Sequence, residues 1–130
     1  MSTINDLSIG GQSAAVGLVA HAGGGQALAT PLTATINSLT TFTTANDSAG
    51  LPVAQPGAIV IIENLSANSA QVYGSPTSLD TINGVATATG VALPGTKRGI
   101  YFVTVPAVFT PGVAGAAGTY TPGKWGCIIN

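Results

Sequence analysis

Short β-branched runs separated by turn residues constrain this chain more than any other feature. "AIVIIEN" (58–64), "QVYGS" (71–75), "GIYFVTV" (99–105), "GTYT" (118–121) and "KWGCII" (124–129) alternate with stretches rich in Gly, Pro, Asn and Ser. Runs of this kind at roughly 8–12-residue spacing describe an all-β domain, folded as a β-sandwich or jelly roll. No long apolar pattern of period 3.6 interrupts them. The wholly aliphatic start of "AIVIIEN" suggests a buried strand, with "QVYGS" as its hairpin partner. In "LTATINSLTTFTT" (32–44), Leu32, Ala34 and Ile36 alternate before the phase changes near Leu39, which suggests one or two short strands.

Two stretches are less regular. "DTINGVATATGVAL" (80–93) contains Asn83-Gly84, which favours a type I′ turn, but its flanks are weak, so a tight hairpin and a compact bend between neighbouring strands both fit. Residues 1–30 are rich in Gly and Ala without a clean period of 2 or 3.6, and Gly17 interrupts the one helix-like run. The expected division is an irregular Gly-rich N-terminal arm or linker at 1–30 and a β-sandwich domain at 31–130. Within the arm, Leu7, Ile9, Val16, Leu18, Val19 and Leu28 are aperiodic apolar groups suited to finding pockets on a partner surface.

Charge narrows the possible functions. Of 130 residues, only 5% are charged while 45% are hydrophobic, against about 25% charged in an average soluble protein. A disordered chain has the opposite balance, so this one is expected to fold. Three Lys or Arg residues, Lys97, Arg98 and Lys124, are too few for the phosphate contacts on which nucleic-acid binding depends. The aliphatic run at 58–62 is far shorter than the ~20 residues of a membrane span, and the N-terminus lacks a basic region followed by an apolar one. These features suggest synthesis in the cytoplasm with no membrane partner. So little surface charge also favours assembly into a homo-oligomer, since solubility normally relies on charge.

Catalytic groups are sparse. Asp47, Glu63 and Asp80 are the acids of the strand-rich region, and a glycosidase pair would need two of them about 5–10 Å apart. Turn or strand-end positions account for each, so no catalytic residue is expected. The one His, His21, lies in the arm, where nothing would aim it at a serine, and it suits a partner contact or a solvated ring. The one Cys, Cys127, reads as a small packed hydrophobe, with neither a disulfide framework nor a zinc site. "GTYTPGK" (118–124) matches G-x-x-x-x-G-K, but Trp125 stands where a magnesium-binding Ser or Thr belongs, and no helix follows. Neither a cofactor nor a metal is expected.

The segment from "AIVIIENLSANSAQVYGSPTSLDTINGVA" through "GTKRGIYFVTV" to "GKW" resembles a module of structural proteins in tailed-bacteriophage virions, with "TTFTTANDSAGLP" resembling its entrance. The likeness spans roughly residues 33–130, and "PAVFTPGVAGAAGTYTP" departs from it. It implies a virion β-sandwich: a capsid decoration (cement) protein or the base of a head fibre, often trimeric, with the major capsid protein as partner and no catalytic residues. A cement role places it on the capsid exterior. The alternative is a head-fibre or tail-associated module that recognises a host surface glycan through Tyr120 and Trp125. A bland stretch such as 80–93 suits either role, with Ile82 and Val85 packing inward and Ala86, Ala88 and Gly90 permitting close approach of another backbone.

Overall fold

The computed structural model describes residues 13–23, 25–41 and 46–130. Along the chain come β1 (Ala14–Val19), the helical turn α1 (Gly25–Leu28), β2 (Thr30–Pro31), β3 (Ile36–Thr41), β4 (Asp47–Gly50), β5 (Ile59–Asn64) and β6 (Ala70–Tyr73). Then follow β7 (Thr81–Ile82), β8 (Val91–Leu93), β9 (Arg98–Val105), β10 (Val108–Thr110), β11 (Thr119–Thr121) and β12 (Lys124–Ile129). The fold is all-β. A six-stranded sheet has the order β1-β3-β5-β9-β12-β7, a four-stranded sheet the order β2-β4-β6-β8, and β10 and β11 form a separate two-stranded hairpin.

From β3 to β9 the chain changes sheet at every step. Neighbours in one sheet are therefore separated in sequence by a strand of the other, so β3 lies parallel to β5 and β4 parallel to β6. This overturns the expected hairpin between 58–64 and 71–75, because β6 pairs with β4 and β8 while β5 pairs with β3 and β9. Asn64 redirects the chain. Its amide donates to the carbonyls of Asn68 at 2.8 Å and Leu93 at 3.1 Å, and its Oδ1 accepts from the Ser66 amide at 3.0 Å. A turn built around that buried side chain leads away from β5.

One hydrophobic cluster draws on both sheets, with Leu39, Val60, Ile62, Tyr101 and Trp125 from the six-stranded sheet and Ala49, Val72 and Leu93 from the four-stranded one. The strand expected to be buried is buried on one face only. In β5, Val60, Ile62 and Asn64 point into the core, whereas Ile59 is exposed and Ile61 half-buried. Period-2 alternation is a backbone property and sorts even a continuous aliphatic run onto two faces.

At 80–93 both expectations are met in part. Asn83 and Gly84 have φ of 50° and 74°, and the Val85 amide donates to the Ile82 carbonyl at 2.9 Å, closing the turn. Positive φ at both central positions is the type I′ pattern that Asn-Gly favours. The hairpin ends there, with a single bridge between Ile82 and Val85, and the chain crosses from β7 to β8 in the other sheet. Gly90 has a φ of 68°, and a Cβ on it would lie 2.8 Å from the Val72 carbonyl oxygen and 2.9 Å from the Tyr73 ring. Ile82 is buried and Val85 half-buried.

In the segment expected to be an arm, β1 runs parallel to β3 as an edge strand, and Ala20 after it is buried. Its register shifts between Ala15 and Leu18, around Gly17 at φ 68°. That irregularity removes the clean period of 2 by which a strand is recognised in sequence.

Candidate functional site

Of the six apolar residues expected to contact a partner, Leu7 and Ile9 lie outside the described residues. Val16 and Val19 are exposed on β1, at the edge of the six-stranded sheet, and Leu28 is exposed on α1. Leu18 packs against the core of its own chain, so it is at least partly a fold residue.

The acids are not brought together as a pair. Asp80 is fully buried, and its carboxylate accepts from the Ala54 amide at 2.9 Å, the Ser78 hydroxyl at 2.6 Å and the Gly123 amide at 2.6 Å. Three separate segments are thereby tied to one side chain. Glu63 sits at the far end of β5, where it accepts from Arg98 at 2.6 Å and from the Ser38 hydroxyl at 3.4 Å. The hydrogen bond and charge of Arg98 hold the Glu63 carboxyl below its ordinary range. Asp47 is buried in β4, with the Gly23 amide 3.3 Å from its Oδ1.

His21 is better anchored than its Gly-rich surroundings suggest. Its amide donates to the Ser48 carbonyl at 2.9 Å, and the Ser48 amide donates back at 2.8 Å. His21, Ser48 and Asp47 thus become neighbours through the backbone. The Ser48 hydroxyl, however, donates to the Gly23 carbonyl at 2.9 Å, and the His21 ring has its Nδ1 3.3 Å from the same oxygen. A nucleophile needs its hydroxyl bonded to the imidazole base, and here both groups are turned toward a carbonyl.

Residues 118–124 cross β11, a two-residue connection and the first position of β12, where Lys124 pairs with Thr81. A strand there provides none of the converging amides of a phosphate loop. Trp125 is buried in the core, which removes it as a surface platform for sugar. Tyr120 packs on Phe109 in the hairpin, with ring centroids 5.1 Å apart and planes inclined at 59°. Cys127 is half-buried, and burial pushes its thiol up, in keeping with a packing role. Its cross-strand neighbour Tyr101 is fully buried, and burial pushes that phenol up as well.

Two surface features remain. A shallow polar cleft lies between Glu63, Thr96, Lys97, Arg98 and Asn130. The other is the outer face of the six-stranded sheet. Register places Ile36 beside Ile61, Ile61 beside Ile100, Ile100 beside Ile128, and Ile59 beside Phe102. Sequence reading missed this patch because it took 58–64 as a wholly buried strand and did not divide the other strands into two faces. The odd-even phase of these side chains against Val60, Ile62 and Tyr101 is the signal that could have separated the two faces.

No protein family, curated protein or solved structure matches the chain. Among the described residues, no helix is long and apolar enough to cross a membrane, and no group of three or more His, Cys, Asp or Glu residues is placed to hold a metal ion.

Proposed function

We propose that this chain is a structural virion protein that binds and stabilises an assembled phage capsid from the outside, as a decoration or cement protein. The observation that carries the reading is the division between polar and apolar groups. Asp80, Asn64 and Ser48 are buried and bonded to backbone groups, whereas apolar side chains occupy exposed positions on strand β1, the outer sheet face and the β10–β11 hairpin. Such a surface suits broad contact with protein rather than turnover of a small substrate. The likeness of residues 33–130 to virion modules supports it further. Two sheets sharing one core are consistent with the sandwich or jelly-roll form of such modules.

The mechanism is linkage. A protein that binds the assembled lattice and not its dissociated subunits stabilises the lattice by RT ln(1 + [L]/Kd), about 2.7 kcal/mol at a free concentration of 100 Kd. The major capsid protein is the partner, and the chain acts as a homotrimer made in the host cytoplasm, without nucleic acid or membrane. Co-sedimentation with capsids stripped of decoration, followed by cryo-electron microscopy of the decorated particle, tests it. Saturable binding in many copies on the lattice is expected, with a raised temperature of particle disruption. Absence from the lattice, or presence only at a vertex or tail, refutes it. The Phe109–Tyr120 pair favours the second reading, a fibre or tail module for a host glycan, which predicts binding to host-cell polysaccharide.

A further inference from the structure

We propose that Asn83 is a site of spontaneous covalent modification, where the side chain cyclises onto the Gly84 nitrogen and releases ammonia, and that the fold holds this reaction in check by clamping the side-chain amide to β12. Of the asparagines in the chain, only Asn83 is followed by glycine. Both residues are exposed, and a Cβ on Gly84 would meet no atom within 4 Å. The turn therefore stands open to water, and glycine brings no side chain to crowd its own nitrogen. The inference is independent of the capsid reading.

The clamp follows from where β7 ends. β7 lies parallel to β12, with the Thr81 amide donating to the Gly123 carbonyl at 3.2 Å and the Asn83 amide to the Trp125 carbonyl at 2.8 Å. In a regular parallel ladder the next bonds would run from the Cys127 amide to the Asn83 carbonyl and from the Val85 amide to the Cys127 carbonyl. The type I′ turn takes the chain away instead, and the Val85 amide bonds the Ile82 carbonyl. The Asn83 side chain fills both places. Its Oδ1 accepts from the Cys127 amide at 2.9 Å, and its Nδ2 donates to the Cys127 carbonyl at 3.2 Å. One side-chain amide thus stands in for a peptide group and extends the ladder by one step.

In the reaction the Gly84 nitrogen attacks Asn83 Cγ. An N–Cγ bond forms, the Cγ–Nδ2 bond breaks, and the Gly84 amide proton departs with the side-chain nitrogen as ammonia. Water then opens the imide ring at either carbonyl, leaving aspartate or isoaspartate at this position. Both polar atoms on Cγ are held on β12, so the carbon can turn toward Gly84 only after the two hydrogen bonds open. Two bonds of ordinary net strength make that opening rare enough to slow the reaction by ~10-fold or more. Ionised aspartate has no hydrogen to offer the Cys127 carbonyl, and isoaspartate lengthens the main chain within a tight turn, so neither product restores the clamp.

Mass spectrometry of peptides from the full chain, aged at neutral pH with and without denaturant, tests the proposal. In denaturant, Asn83 is expected to convert to aspartate and isoaspartate before the other asparagines, and in the folded protein it should convert ~10-fold or more slowly. Hydrogen exchange supplies a second readout: Asn83→Ala should speed exchange of the Cys127 amide by ~10-fold while circular dichroism still reports a β-fold. Conversion in denaturant no faster at Asn83 than at the other asparagines overturns the site. Equal rates in the folded and unfolded chain overturn the clamp, as does unchanged Cys127 exchange in a folded Asn83→Ala variant. The comparison of folded with unfolded chain uses the unsubstituted protein, so it decides the matter even where the variant fails to fold.

Discussion

Replacing Asp80 by Asn should cost far more stability than the loss of one charge suggests. The carboxylate is buried and accepts three hydrogens, from Ala54 N, Ser78 Oγ and Gly123 N. An Asn amide keeps one acceptor oxygen and turns two donors toward the other partners. The Ser78 hydroxyl can rotate and accept, but a backbone N–H cannot, so either Ala54 N or Gly123 N loses its bond and faces a donor. A hydrogen bond to a charged group contributes about 1.5–3 kcal/mol, and stranding a buried donor costs about 1–3 kcal/mol. These overlap, and the net expectation is about 3 kcal/mol. Asp80→Ala strands both amides and opens a cavity, for roughly 4–5 kcal/mol. With m near 2 kcal/mol/M in urea, Asp80→Asn should lower the unfolding midpoint by about 1.5 M. Urea titration of parent and variant, followed by Trp125 fluorescence, measures this directly. A loss below about 0.5 kcal/mol, the scatter of an ordinary surface change, would refute the assignment of Asp80 as the tie among three segments.

Gly90→Ala combines a positive φ with a close approach to Val72 and Tyr73, so thermal unfolding should show a loss of about 2–4 kcal/mol. Tyr101 is buried with its phenol pushed up, so folding favours the neutral ring. Its stabilising contribution is complete below the unfolded value of about 10 and lost as pH rises beyond it. Ultraviolet titration should therefore show one of the three tyrosines ionising only as the fold is lost. Burial also raises the Cys127 thiol, and alkylation at neutral pH should run several-fold slower in the native protein than in urea, because the thiolate is the reacting form. Equal rates would place Cys127 outside the packed interior.

Local chemistry was legible in residues 80–129. Asn83-Gly84 formed the turn its conformational preference favours, while "GIYFVTV" and "KWGCII" became the strands their β-branched and aromatic content implied. The failed hairpin between 58–64 and 71–75 depended on something else. Whether a strand pairs with its successor or crosses to another sheet is decided by where each apolar face finds cover, and at this point by Asn64 gathering carbonyls from residues 68 and 93. The first is four residues away, but the second is 29 positions along the chain and out of reach of local sequence. The same holds for His21 and Ser48, whose bridge spans 27 positions and which chain spacing could not bring together. Aliphatic residues of β5 could be identified as apolar from sequence, but not divided between core and surface, because period-2 alternation yields two faces and only the packed second sheet selects which is buried. Composition determined that this chain is strand-forming and poor in charge. Tertiary structure alone decided which apolar groups were left facing outward, since burial is a property of distant segments meeting rather than of any residue by itself.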